Sequence, residues 1–421
     1  MATTSPASSE SSTASIIASH DQHMIVNLPR YPIAIARGLN AEMWDANGKH
    51  YIDLFAGFGA GVLGHCHPDL VQAVTEQASK LWHVGNLLHT EPQVKLAEAI
   101  HKHGFGGRSY FCHSGADANE AAIKLARLHG KATPGPRGKR FKVISAFHSF
   151  HGRSFSTMMA TGQDKVRLGF EPWLEGFSHV PYNDLAAMEK AIDDQTVAII
   201  VEPIQGEGGV NVPDAGYLAG LRQLADKHNL ILIFDEVWTG CGRTGKYFAH
   251  QHWNITPDIM TLAKGVGGGL PVGVMCANEK AAAYFDYRKH GSVAQATTLG
   301  GNCLSMVVAA KVFEVLERDN LVAKSVELGN DAVKQIENYA KGNPMVAKVR
   351  GRGLFIGIEL NPAAAKDGKG FNAAQMVQRC LDRGLLINGT QDVVLRLAPS
   401  LCIEKETLDK GLAILFDALT V

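Results

Sequence analysis

Long apolar runs, an excess of either charge and a cysteine pattern are all missing from this chain, and each absence closes off a class of function. No stretch approaches the ~20 apolar residues that a membrane span requires; the greasiest segments, Thr196–Ile204 and Leu230–Phe234, are only strand-length. The 41 basic residues cancel the 41 acidic ones. That balance leaves no basic surface for a nucleic acid or an anionic membrane. The seven cysteines are scattered, with no C-x-x-C pair. Neither a disulfide framework nor a zinc site is expected, and a reducing cytoplasm is the expected compartment. The closely spaced histidines of H-C-H-P (His65, His67) and H-S-F-H (His148, His151) have no clustered carboxylate and do not make a closed metal set. No G-x-S-x-G elbow is present, so a serine hydrolase has no support. The first 23 residues are Ser/Thr-rich and have no basic n-region. They read as a flexible tail and not as a signal peptide.

What is present is a compact α/β pattern. With 421 residues, of which 46% are hydrophobic and 19% charged, two domains are the natural expectation. From Met24 to His50 apolar and polar residues alternate and turn at Asn47-Gly48, a hairpin signal. From about Pro68 helical periodicity alternates with short β-rich runs at Lys142–Ser145, Thr196–Ile204, Leu230–Val237 and Asp258–Ala263. Helices over Ala118–His129 and Tyr217–His228 fall between them. Such repetition predicts a mostly parallel sheet covered on both faces. Beyond about Ser305 a long helical stretch precedes two strand-like runs, LFIGIEL and VVLRLAP. The expected arrangement is a large domain over 70–305 and a small α+β domain built from 24–69 with 306–421.

Several segments carry chemistry. Ser114-Gly115-Ala116 forms a small-residue turn directly before a helix, where free N–H groups and the helix dipole favour an anion; an ordinary helix start reads the same way. Asp235 and Glu236 end an apolar strand, the edge at which open α/β sheets hold ligands, and a carboxylate there can keep a pyridinium nitrogen protonated. A simple turn is the bland reading of that pair. Lys264 ends another short strand and precedes four glycines, Gly265, Gly267, Gly268 and Gly269. Either a Schiff-base lysine of lowered pKa or a solvated surface lysine fits this piece alone, whereas the glycine spacing is not that of a dinucleotide loop. In FHGR, Phe150 can stack on a planar ring and Arg153 can grip a carboxylate. Arg396 lies inside the apolar run VVLRLAPS and needs an anion. Glu202 and Glu207 of VEPIQGEGG are both available for it, and ordinary salt bridges would use the same residues.

Taken in order, NLPRYPIAIARG, LGHCHP, SGADANEAAIKLAR, FHGR, VEPIQGEGGV, FDEV, GRTGK, PDIMTLAKGVGGG, TTLGGN, RGRGL and LRLAPS resemble the class III aminotransferases of the fold-type I pyridoxal-phosphate enzymes. Among these, the acetylornithine aminotransferases are most similar. The resemblance runs from about Asn27 to the C-terminus. It implies a large domain with a mostly parallel, seven-stranded sheet, and pyridoxal 5'-phosphate as cofactor. Lys264 would be the lysine that carries the cofactor as a Schiff base and later moves the proton. Asp235 would pair the pyridinium nitrogen, with Phe150 packed on the ring and Val237 beside it. Ser114, Gly115 and Ala116 would bind the phosphate together with Thr298 of a partner subunit, which implies a homodimer with active sites at its interface. Arg153 would hold the distal carboxylate of the substrate and Arg396 the α-carboxylate of glutamate. Glu207 would be the gate that neutralises Arg396 when an ω-amine is bound.

The implied reaction moves the ω-amino group of N-acetylornithine to 2-oxoglutarate, giving N-acetylglutamate semialdehyde and glutamate in arginine biosynthesis. Other ω-amine transaminases, acting on ornithine, 4-aminobutyrate, lysine or a diamine, are the same-class alternative. Aminomutases and racemases of this fold have less need of a gated arginine, and a catalytically dead binding protein has little need of Lys264, Asp235 and Arg153 together. Three positions depart from the family pattern. Trp238 stands where D-E-V-Q has glutamine, Leu88-His89 where acetylornithine enzymes carry tyrosines, and Cys303 where GGN is followed by proline. Fewer hydroxyl donors and an added indole predict a pocket with relaxed preference among ω-amines.

Overall fold

The computed structural model describes residues 12–364 and 371–420. Part of the segment expected to be a flexible tail, residues 1–11, lies outside the described residues. The remainder is helical instead: Thr13–His23 is an α-helix whose first turn is capped by the Ser12 side chain, which accepts from the Ser15 N–H. His20 and His23 in its last turn face the negative end of the helix dipole. Composition hides this helix because little of it packs. Only Thr13 is buried, and its N–H donates to Asn47 Oδ1 at 3.1 Å.

Three strands follow, β1 (Ile35–Leu39), β2 (Glu42–Asp45) and β3 (His50–Asp53), as an antiparallel meander. The expected turn between β2 and β3 is present. Gly48 takes φ +85°, and the Asp45 carboxylate accepts from the N–H groups of Asn47 and Lys49 at 2.9 Å each. The central strands are β4 (Arg108–Cys112), β5 (Lys142–Ala146), β6 (Phe177–Val180), β7 (Thr196–Val201), β8 (Ile231–Asp235), β9 (Ile259–Leu262) and β10 (Gly273–Ala277). They form one seven-stranded sheet in the order β4-β10-β9-β8-β7-β5-β6. The last strands are β11 (Val346–Arg352), β12 (Phe355–Leu360), β13 (Leu385–Leu386), β14 (Asn388–Thr390) and β15 (Val394–Leu397). Strand β13 pairs parallel to β3, so one small sheet joins the two ends of the chain, while β11, β12, β15 and β14 make a second.

Strand periodicity sorts the core. In β7, Ala198 and Ile200 face a cluster containing Ala122, Ile123 and Ala126 of the helix Gly115–Ala132. The alternate residues Ile199 and Val201 face Leu218 and Leu221 of the helix Tyr217–Lys227. Helices thus cover both faces, which is why these strands read as unbroken apolar runs. One strand breaks the parallel pattern: β10 runs antiparallel to both β9 and β4. The connection from β9 spans residues 263–272 and holds only a short 3-10 turn at Lys264–Gly267. It is too short for the crossover that a parallel return demands. Because β4 and β9 both oppose β10, the carboxyl ends of β4, β5, β7, β8 and β9 all open on one edge of the sheet.

Candidate active site

At that edge lies a cavity of about 440 Å³. Each wall is a segment that leaves a strand. Ser114, Gly115 and Ala116 follow β4 and begin the helix Gly115–Ala132, with Ser114 as N-cap accepting from the Asp117 N–H at 3.2 Å. The first N–H groups of an 18-residue helix therefore face the cavity, a favourable place for a dianion. Gly115 has a specific reason to be glycine, since a Cβ there would lie 2.9 Å from both methyls of Val237, itself a wall residue.

Asp235, at the end of β8, is 3% exposed and held from several sides. His151 Nδ1 lies 2.8 Å from Asp235 Oδ2, and Asn119 Nδ2 donates to the same oxygen at 2.7 Å. The Val237 N–H donates to Asp235 Oδ1 at 3.0 Å. Asn119 is fixed in turn by its bond to the His151 carbonyl and by the Thr261 hydroxyl, which donates to its Oδ1. These partners keep a buried carboxylate in one orientation. Neither Asn119 nor His151 was expected from the sequence to serve Asp235; His151 was weighed only as a metal ligand and set aside. A signal existed for Asn119, which lies four residues after Gly115 and so on the same helix face. Among the described residues no cluster of three or more metal-ligating side chains is found.

Lys264 projects into the cavity from the end of β9, with its backbone in the left-handed region at φ +48°. Burial drives its pKa down to about 8, and the Arg396 charge pushes the same way, while the carboxylates of Glu207, Asp235 and Glu202 oppose the shift. Its place in the cavity wall is not that of a solvated surface lysine. Arg396, on β15, is fully buried, and desolvation lowers its pKa. Its Nη2 is 3.2 Å from Glu207 Oε1, its Nη1 donates to the Gly206 carbonyl at 2.9 Å, and Asn388 Oδ1 accepts from Nη2. The acid that pairs Arg396 is therefore Glu207. Glu202 does different work: its two oxygens accept from the Phe150 N–H at 3.0 Å and the Gly206 N–H at 2.9 Å, fixing two wall segments. Burial raises its pKa to about 7.

Phe150 and Arg153 line the same cavity, with the guanidinium carbon 5.6 Å from the phenyl centroid. Trp238 also lines it and is 5% exposed. Several sequence-selected residues do not line this cavity, Glu207, Arg396 and Cys303 among them. Thr298 is exposed and does not line the cavity of its own chain. Leu88 and His89, expected beside the pocket, are exposed on the segment that Asn86 ties to the carbonyls of Thr297 and Gly300 at 2.9 Å each. Of the positions expected to relax the pocket, Trp238 alone reaches this cavity.

Residues 24–419 match the family model of the class III aminotransferases. The chain belongs to this family. It is 43% identical over 380 residues to an acetylornithine aminotransferase of Methanocaldococcus jannaschii, covering 90% of this chain and 92% of that one. It is 42% identical over 391 residues to an acetylornithine aminotransferase of Caldanaerobacter subterraneus subsp. tengcongensis, covering 93% and 95%. Among solved structures, an ornithine aminotransferase from Toxoplasma gondii superposes with a TM-score of 0.89 at 29% identity, over 97% of this chain and 95% of that one. An N-acetylornithine aminotransferase from Stenotrophomonas maltophilia gives a TM-score of 0.80 at 34% identity, over 96% and 98%. The fold is that of these aminotransferases, and the chain is an aminotransferase.

Proposed function

We propose that this aminotransferase uses pyridoxal 5'-phosphate to pass the ω-amino group of N-acetylornithine to 2-oxoglutarate, giving N-acetylglutamate semialdehyde and glutamate for arginine biosynthesis. The observation that carries this reading is the Arg396–Glu207 pair beside a lysine of depressed pKa. The acetylornithine aminotransferases named above agree with it, and the ornithine aminotransferase fits the ornithine alternative.

The cavity suits the cofactor. A helix start kept open by Gly115 against Val237 suits a phosphate. A firmly held Asp235 suits a ring nitrogen, with Phe150 on one wall. The buried Nε2 of His151 has no hydrogen-bond partner among the described residues. When bound, pyridoxal phosphate supplies the carbonyl that takes up an amino group and the ring that accepts electron density. The chain's own residues do the rest. Lys264 would be the base that moves the proton between the substrate and cofactor carbons. Arg153 receives the distal carboxylate, and Arg396 the α-carboxylate of the diacid. When the substrate brings only one carboxylate, Glu207 keeps Arg396 from being a lone buried charge, a state costing about 3–5 kcal/mol.

We further infer a large domain over 70–305 and a small one from 24–69 with 306–421, paired in a homodimer whose partner supplies Thr298 to the phosphate. A cytoplasmic setting is our inference from seven cysteines, all unpaired. Among the described residues, no helix is long and apolar enough to cross a membrane.

The deciding experiment incubates the protein, pyridoxal phosphate and 2-oxoglutarate with N-acetylornithine, ornithine, 4-aminobutyrate or lysine and measures glutamate. N-acetylornithine is expected to give the highest kcat/KM. Glutamate formed from ornithine alone would replace this reading with the ornithine one.

A further inference from the structure

Trp238 touches two cations, Lys264 of the cavity wall and Arg396 of β15. Lys264 Nζ stands 3.9 Å from the indole centroid, and the Arg396 guanidinium carbon stands 4.0 Å from it. Such spacings are those of cation–π contacts, which strengthen when desolvated. The indole has a slot shaped for it. A Cβ on Gly59 would lie 2.6 Å from its Nε1, and a Cβ on Gly206 would lie 2.6 Å from its Cε3. Phe355 packs against it with centroids 5.3 Å apart. The ring is thus held by backbone on two edges and cannot drift from the cations.

We propose that Trp238 is a positioning residue that seats Lys264 and Arg396 together on one indole and stays with Arg396 when Glu207 moves away. Gly206, one of the slot residues, also accepts from Arg396 Nη1 through its carbonyl, so indole and guanidinium share a single backbone support. With Glu207 withdrawn, Arg396 keeps that carbonyl, the Asn388 amide oxygen and the ring face. A mobile gate becomes affordable because the arginine keeps these partners. For Lys264, the ring face favours the ammonium form and opposes the fall in pKa that burial imposes. The role toward the diacid rests on the function proposed above; the contact with Lys264 does not.

Two measurements on Trp238→Leu and Trp238→Phe test this. In cofactor-free protein, the pH dependence of Lys264 acylation by a limiting amine-reactive reagent, read by peptide mass spectrometry, gives the lysine midpoint. Removing the ring in Trp238→Leu is expected to lower that midpoint by about half a unit to one unit, with Trp238→Phe shifting less. In the loaded enzyme, Trp238→Leu is expected to raise KM for 2-oxoglutarate about tenfold. A wild-type midpoint in Trp238→Leu, or equal shifts in the Leu and Phe variants, would overturn the proposal. Absence of transamination by the wild-type enzyme would defeat the proposed function and leave the acylation measurement to decide the role of Trp238.

Discussion

At the scale of single residues, the site is governed by what burial does to charge. Lys264 has a folded pKa of about 8, against 10.5 for a free lysine. Below about pH 8 it is protonated in both states and its desolvation cost is fully present; as pH rises toward 10.5 the folded protein releases the proton first and that cost disappears. Lys264→Ala is therefore expected to be more stable than wild type at pH 7 in cofactor-free protein, with the gap closing toward pH 10, as denaturant titration would show. The same variant is expected to lose at least about 10²–10⁴-fold in turnover, since its only proton carrier is gone; near wild-type glutamate production would refute that role. Glu202 titrates with the opposite consequence. Its folded pKa, about 7, lies above the 4.5 of a free glutamate, so it stabilises the fold below pH 4.5 and loses that contribution as pH rises to 7. Glu202→Gln has no such titration, and its Tm relative to wild type is expected to rise between pH 5 and pH 8. A constant difference would mean that Glu202 is not held neutral by burial. These residues differ in how legible they were in the sequence. Lys264 and Asp235 each end an apolar run, a local signal of position, and both lie in the cavity. The choice between Glu202 and Glu207 as the partner of Arg396 stayed open because β15 meets the loop after β7 only in the folded chain.

Among the elements, the loop bearing Glu207 has the most to explain. Its backbone is pinned: the Thr390 hydroxyl donates to the Glu207 carbonyl at 2.7 Å and Gln391 Nε2 donates to the same oxygen at 3.0 Å. Gln391 and Asp392 take φ values of +49° and +59° in the turn between β14 and β15. With the carbonyl fixed, the proposed opening of the Glu207–Arg396 pair would reduce to rotation of one side chain. Loss of one such bond costs about 1 kcal/mol, or roughly fivefold in an equilibrium. Thr390→Val is expected to raise KM for 2-oxoglutarate by about that factor while Thr390→Ser retains the wild-type value; equal effects of both changes would show that the hydroxyl does not steady the gate. Elements differ in legibility for reasons of the same kind. Fully buried strands such as β7 and β8 announce themselves as apolar runs. The helix Thr13–His23 does not, because it buries one residue and has no apolar face to repeat. Strand β10 reverses direction because of the length of the preceding connection, a constraint that the pattern of β10 itself does not carry.

For the whole molecule, the decisive feature is where Thr298 lies. It is exposed, outside the cavity of its own chain, on a stretch tied to the segment of Leu87 and Leu88 by Asn86 and Gln93. Leu87 is 99% exposed, and Leu88, Val293 and Leu299 are each more than half exposed. In the homodimer proposed above, a second copy laid on this apolar surface would carry Thr298 toward a site that is not its own. A lost hydrogen bond to a phosphate costs about 1.5–3 kcal/mol, so Thr298→Ala is expected to weaken cofactor affinity about tenfold or more. The geometry then makes a stricter demand. In a heterodimer of one Thr298→Ala subunit and one Lys264→Ala subunit, the site with an intact Lys264 receives an intact Thr298 from its partner, and the other site lacks both. At a cofactor concentration that leaves Thr298→Ala homodimers largely empty, mixing the two proteins is expected to restore activity approaching one wild-type site per dimer. Tagged subunits purified as heterodimers make the measurement direct. Heterodimers that form and stay as inactive as their parents would place Thr298 in its own subunit's site, or in none.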